Sequence, residues 1–382
     1  MMKQRFRVVH IIGGGEFGGA EDHIIHLMQQ LRMNGIDASV ICFYDALFAK
    51  KLREQKIPVD VLSYGRFDIR LLFGLVKLLK AKQPDIVHTH GVKANFFGRI
   101  AAKWLGIFPV VTTVHSLLKY DYTHPIAYRL AYILETSTRK KNDYYIAISN
   151  NIKEQLLKEK IAEDKIEMIH HGINTEKFAP KEDIEAKKLA KEWGKTEETF
   201  LVGAVGRIQA VKGFHYFIKA CSILHQRYPN RFRFVIIGDG PQKVELEQLI
   251  KKEGLTEVFH LPGFRNDVDR CLRALDCYVS SSLSEGLGLA VMEALATGIP
   301  VVTTGVGGIL DFAKHEENCL IVEPKNEEQL ADAIERIYLD PMLAQRLAKT
   351  AAEHMQQSFS LEKMGKLTAL HYERWLGRGT DD

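Results

Sequence analysis

The chain has 382 residues, 46% hydrophobic and 26% charged, a length beyond what one core usually holds and a composition that excludes disorder, collagen or a coiled coil. Its five cysteines are scattered with no C-x-x-C or zinc-like histidine spacing, which excludes a disulfide-stapled secreted module and points to a reducing compartment. The net charge of +4 is uneven: residues 1–180 carry 26 Lys and Arg against 18 Asp and Glu, so an anionic partner is expected on that half, with an ordinary solvated surface as the alternative.

The first apolar run, Val8–Ile12, is too short for a signal-peptide core and reads as a strand; no run of 18 apolar residues predicts a membrane span. Strands are predicted at RVVHII, ASVICF, VDVL, DIVHTH, PVVTTVH and YYIAIS, with helical periods at 20–34, 70–82, 92–105 and 127–140 between them. Met168–Pro180 breaks this alternation with Gly, Asn and Pro before a charged helical stretch, and reads as an inter-domain joint. The alternation restarts with TFLVGAVGR, RFRFVIIGDG, VFHLPG, LDCYVSSS, IPVVTTG and CLIVEP, and ends in helices near 327–338, 341–357 and 360–376. Strand–helix alternation predicts parallel sheets covered on both faces, hence two doubly wound α/β domains facing across a cleft. In such sheets ligands sit beyond the carboxyl ends of the strands.

Three segments after strands carry chemistry. Gly13–Leu27 opens a helix after the first strand, and Gly13, Gly15 and Gly18 fit a G-x-G-x-x-G spacing. Asp45 stands too far on to complete a dinucleotide fingerprint, so an anion-binding turn and a merely tight turn both remain open. Arg207 and Lys212 follow a strand and precede a helix, as a diphosphate clamp would, without the G-K-[ST] of a Walker loop. In SSSLSEGLGLAVMEALATGIPVV, Glu285 stands in the loop and Glu293 about two turns into the helix, while the N–H groups of Leu287, Gly288 and Leu289 can face a phosphate. The two carboxylates can hold separate hydroxylated rings on either side of it. Asp267-Val268-Asp269 opens a helix, so capping by Asp267 is expected rather than metal chelation. For His170, His171 and His260 structural packing is expected.

This arrangement strongly resembles the retaining glycosyltransferases of family 4, over nearly the whole chain. The most specific mark is the E-x7-E pair Glu285 and Glu293; G-R…K-G (Arg207, Lys212), G-G-A-E (Gly18–Glu21), H-x-H-G (His88, His90) and the strand ending at His115 support it. The resemblance implies the GT-B fold, with an acceptor domain over residues 1–175, a nucleotide-sugar domain over 176–361, and a C-terminal helix, 362–382, that crosses back onto the first. It implies that Gly19, Arg207 and Lys212 contact the diphosphate, joined by the Gly288 and Leu289 backbone. Glu285 would then address the transferred sugar, Glu293 the ribose, and His115 would lie beside the sugar. One position departs from the family: the later G-G-x-x-E turn reads Gly307-Gly308-Ile309-Leu310-Asp311, one methylene shorter.

The expected reaction moves a hexosyl unit from a nucleoside diphosphate sugar, a UDP-sugar foremost, to an acceptor hydroxyl with retention, without cofactor or metal. The setting would be cell-surface polysaccharide or glycolipid synthesis. A nucleotide-sugar epimerase of similar fold and a non-catalytic sugar-binding module are the alternatives. A lipid-linked or small-molecule acceptor is expected on the first domain. Basic stretches at Lys77, Lys80, Lys82 and at Arg139–Lys141 offer a peripheral contact with anionic membrane, on the inner face of a cytoplasmic location.

Overall fold

A computed structural model describes residues 6–378 except 16–17, 66–67 and 123, so Glu16 and Phe17 of the glycine-rich turn and residues 379–382 of the expected C-terminal return lie outside the described residues. The chain divides into two compact units, residues 1–172 with 361–382, and residues 173–360. It enters and leaves the second unit at adjacent points, since Ile173 bridges to Ser360 and its N–H donates to the Phe359 carbonyl at 2.8 Å.

The first unit holds β1 (Arg7–Ile12), β2 (Asp37–Cys42), β3 (Val59–Val61), β4 (Ile86–His90), β5 (Val110–Val114), β6 (Tyr144–Ala147) and β7 (Ile166–Met168). They lie in the order β3-β2-β1-β4-β5-β6-β7, all parallel, with the order reversing between β1 and β4. The edge strand β7 is short and runs into the predicted loop break, which hid it from a periodicity reading. Alternation along β1 sends Val8 and Ile12 into one core and Val9 and Ile11 into another on the opposite face. His10 therefore shares the face of Val8 and Ile12.

That face is covered by the helices Gly19–Met33 and Leu361–Trp375. On the second of these Tyr372 and Trp375 are buried, whereas Leu370 falls on the outer side of the helix and is 51% exposed. The two helices touch at Gly365, where an added Cβ would stand 2.4 Å from the Gln30 Cβ.

In the second unit β8 (Phe200–Val205), β9 (Phe232–Ile237), β10 (Phe259–Gly263), β11 (Cys277–Ser280), β12 (Val301–Thr304) and β13 (Leu320–Val322) lie in the order β10-β9-β8-β11-β12-β13, again all parallel. Here the order reverses between β8 and β11, the place where an open α/β sheet receives ligands. All five cysteines are buried and unpaired. No helix among the described residues is long and apolar enough to cross a membrane.

Overpacking a helix contact costs about 1–3 kcal/mol. Gly365→Val is accordingly expected to lower the stability of the first unit by that amount in urea unfolding, with unchanged stability counting against this docking of the C-terminal helix.

Candidate active site

In the second unit the loops after β8 and β11 meet at the reversal point. Lys212 Nζ lies 2.7 Å from Glu285 Oε1, with the two side chains 19% and 12% exposed. The Ser282 hydroxyl donates to the same oxygen at 2.6 Å, and the Ser281 hydroxyl donates to the Lys212 carbonyl at 3.0 Å. The loop after β12 locks onto this pair: Gly308 N–H donates to the Glu285 carbonyl at 3.2 Å, and Gly307, at φ +55°, leaves no room for a Cβ, which would stand 2.0 Å from that carbonyl. Helix Leu289–Thr297 starts at Gly288, and its first N–H groups have no intrahelical acceptor. Burial first, then the charges of Glu285 and Glu293, hold the Tyr278 phenol well above its ordinary value, so a neutral hydroxyl stands near both acids. Arg207 is exposed just past the carboxyl end of β8. The structure thus gathers Lys212, Glu285 and the Gly288–Leu289 turn in one place, with Glu293 along the helix they start. Gly19 and His115 belong to the first unit.

Asp267 does not cap its helix through its side chain. The carboxylate is taken by Arg265, at 2.9 and 2.6 Å, because a guanidinium two residues away offers two charged donors against one backbone N–H.

The first unit has its own cavity of about 410 Å³, at the reversal between β1 and β4. Its acids are matched: Glu135 pairs with Arg99 at 2.7 Å and accepts from Asn95, Glu159 pairs with Arg139, Asp121 accepts from Ser116, and Glu21 accepts from the Gly18 N–H. Lys93 is not matched. Its ammonium is buried without a hydrogen-bond partner among the described residues, 5.4 and 5.2 Å from the Phe43 and Tyr44 rings, at the start of helix Val92–Trp104, which no side chain caps.

Helix Pro125–Ser137 turns Tyr128 and Tyr132 to the cavity and buries only Ala131. Ile126, Leu130 and Ile133, spaced by four and three, are 74%, 43% and 52% exposed. On the helix that carries Lys77, Lys80 and Lys82 the leucines are core: Leu71, Leu72, Leu75 and Leu79 are buried, Phe73 is exposed, and Lys82 pairs with Asp60 at 2.6 Å.

Register also builds a chain of imidazoles under the C-terminal helix. β1 pairs with β4 so that His10 lies beside His88 and Ile12 beside His90, and β4 pairs with β5 so that His90 lies beside Thr113. His88 Nε2 is 2.7 Å from Thr113 Oγ1, and His88 Nδ1 is 2.5 Å from the Tyr372 hydroxyl, which is 3.3 Å from His10 Nε2. His10 Nδ1 is 2.9 Å from His90 Nε2, His90 Nδ1 2.9 Å from His115 Nε2, and His115 Nδ1 3.1 Å from His171 Nε2. Burial disfavours the imidazolium, holding His10 down to about 3, His115 to about 4, and His88, His90 and His171 well below the usual value. His10, His88 and His90 bring one nitrogen each within 4.8 Å of one another. Their nitrogens are already engaged with one another, Tyr372, Thr113 and His115.

Residues 17–177 match the family described as Glycosyltransferase Family 4, and residues 185–354 the family of glycosyl transferases group 1. A relative from Escherichia coli, the UDP-Gal:alpha-D-GlcNAc-diphosphoundecaprenol alpha-1,3-galactosyltransferase, is 33% identical over 303 residues, covering 78% of this chain and 77% of its own. The chain belongs to the family 4 glycosyltransferases. The 2-deoxystreptamine glucosyltransferase of Streptomyces kanamyceticus is 27% identical, over 79% of this chain and 81% of its own. The crystal structure of Anabaena HepE in complex with UDP-glucose shares the fold at a TM-score of 0.86 and 24% identity, over 97% of this chain and all of that one.

This glycosyltransferase therefore has the GT-B fold, two Rossmann-like domains, and is an enzyme. In it the Gly307–Asp311 turn that departs from the family's glutamate forms one 3-10 helix, with Asp311 half-buried at its end. Lys93, and the linkage that joins His10 to His88, His90, His115 and His171, were not legible in the sequence. An isolated lysine after H-x-H-G carries no motif, although its place at a helix start after a strand was a signal that could have been read.

Proposed function

We propose that the enzyme takes a hexosyl unit from a UDP-sugar and transfers it, with retention, to a hydroxyl of a polyprenyl-diphosphate-linked acceptor in cell-surface polysaccharide or glycolipid synthesis. The donor is supported by relatives that use UDP-galactose or were crystallised with UDP-glucose. The acceptor rests on one observation, the unmatched ammonium of Lys93 at an uncapped helix start in the first unit's cavity. A buried cation with no partner calls for an anion, and a diphosphate supplies it.

On this reading Gly19, Arg207, Lys212 and the Gly288–Leu289 N–H groups receive the donor diphosphate. Positive charge is thereby set where the leaving oxygen becomes negative, the form of stabilisation that lowers a barrier most. Lys212 has three N–H donors and can keep Glu285 while it binds a phosphate. Glu285 then faces hydroxyls of the transferred sugar, Glu293 the ribose, and His115 lies beside the transferred sugar. Attack comes from the face of the departing phosphate, which takes the acceptor proton. No metal is called for, since the cations and helix start carry the charge. The exposed Ile126, Leu130 and Ile133, with Arg129, Lys140 and Lys141 exposed nearby, form the face that rests on an anionic bilayer on the cytoplasmic side.

The test is transfer from labelled UDP-hexoses to a polyprenyl-diphosphate-linked sugar in detergent. Product with an unchanged anomeric configuration is expected; an epimerised nucleotide sugar, or binding without turnover, would replace this reading. Glu285→Gln is expected to lower kcat about 10²-fold and leave UDP affinity near the parent's, whereas Glu293→Gln raises donor KM and weakens UDP. The reverse pattern would exchange their roles. Lys93→Gln is expected to raise the KM of the diphosphate-linked acceptor about tenfold and leave that of a neutral alkyl glycoside unchanged; equal effects on both acceptors would remove the anion site.

A further inference from the structure

The carboxylate of Glu285 is held by one oxygen only. Both donors that reach it, Lys212 Nζ at 2.7 Å and the Ser282 hydroxyl at 2.6 Å, fall on Oε1. Oε2 accepts no hydrogen bond from the described residues, and it is not one of the buried unpartnered atoms, so it is open to solvent. The last torsion of a glutamate is otherwise broad. With two short bonds on Oε1 it cannot turn without lengthening them, which gives Oε2 one direction.

The two donors behave differently when a ligand arrives. The backbone at Lys212 is tied down, since Leu283 N–H donates to the Val211 carbonyl at 2.7 Å and the Ser281 hydroxyl to the Lys212 carbonyl at 3.0 Å. Its ammonium, however, ends a flexible four-carbon stem and carries the charge that a diphosphate attracts. Sharing it with phosphate weakens its hold on Oε1. Ser282 is neutral and fixed. It is 2% exposed, stands two residues past the end of β11, and its carbonyl accepts from the Thr304 hydroxyl at 2.6 Å. Thr304 ends β12, and the two strands pair as far as Ser280 and Thr303, so neighbouring strands of the sheet fix the place of Ser282.

A serine hydroxyl has one hydrogen to donate, and here Glu285 takes it. The same oxygen accepts a longer bond, 3.4 Å, from the Ser280 hydroxyl. Ser282 is thus buried with its donor committed, and it acts on a substrate only through Glu285. We propose that Ser282 is a positioning residue for the transfer: it aims Glu285 Oε2 at hydroxyls of the transferred sugar and keeps that aim while Lys212 is shared with the diphosphate. This role rests on the proposed places of Glu285 beside the sugar and Lys212 at the diphosphate. A carboxylate without Ser282 keeps its charge and loses its direction, and direction is what a near-attack geometry requires.

A double-mutant cycle on the full enzyme tests this, because Ser282→Ala removes the hydroxyl and Glu285→Ala removes what the hydroxyl holds. Ser282→Ala alone is expected to lower kcat about tenfold, the scale of one hydrogen bond to a charged group. Donor KM and UDP affinity are expected to stay within about twofold of the parent's, which also shows that the variant keeps its folded site. In the Glu285→Ala background the same substitution is expected to change kcat by less than about twofold, since no carboxylate is left to aim. Equal losses in both backgrounds would overturn the proposal, because Ser282 would then act on the loop and not through Glu285. An unchanged kcat in Ser282→Ala, or a loss that falls on UDP affinity, would overturn it as well. Glu285→Ala turning over like the parent would instead remove Glu285 from the sugar, and the role of Ser282 with it.

Discussion

The contact between Lys212 and Glu285 is the constraint on which the candidate site of the second unit depends. Two charges mostly withdrawn from water are costly unless they are paired and hydrogen-bonded, and here each faces the other while the Ser282 hydroxyl donates to the carboxylate. The pair can form only because β8 and β11 are neighbours in the sheet although far apart in sequence, which brings their loops together. Gly307 closes the arrangement by letting the loop after β12 approach the Glu285 carbonyl. Parallel topology, one ion pair and one close backbone approach thus place a cation, an acid and a helix start around a single point.

The first unit uses the same topology for a different chemistry. Its reversal point holds an ammonium without a hydrogen-bond partner among the described residues and, on one sheet face, a row of imidazoles kept neutral by burial. A neutral hydrogen-bonded row can orient a side chain without adding charge beside a reacting sugar. An unmatched cation does the opposite and asks for a charged ligand.

How much of this the sequence shows depends on the range over which each feature is determined. Strand positions, the two parallel sheets and the Glu285–Glu293 spacing are local and were legible: alternating β-branched runs mark β1, β4 and β8, and an eight-residue step on a helix fixes how far apart two carboxylates stand. Features that depend on which strand lies beside which were not legible. His88 and His90 read as a motif, but their partners His10 and Tyr372 come together only through the β1–β4 register and the helix laid over it. The leucines of helix 70–82 face the sheet while its Phe73 is exposed, and Ile126, Leu130 and Ile133 on helix Pro125–Ser137 face outward. Periodicity identifies a stripe, and only packing decides which way it points. Asp267 shows the same limit at shorter range, where a nearby guanidinium outcompetes the helix start.

If the loops after β8, β11 and β12 receive the donor, as proposed, amide hydrogen exchange on the full enzyme with and without UDP registers it. Exchange in residues 206–213, 282–293 and 305–311 is expected to slow on adding UDP. Protection confined to the first unit's cavity, or none in these three segments at saturating UDP, would contradict it.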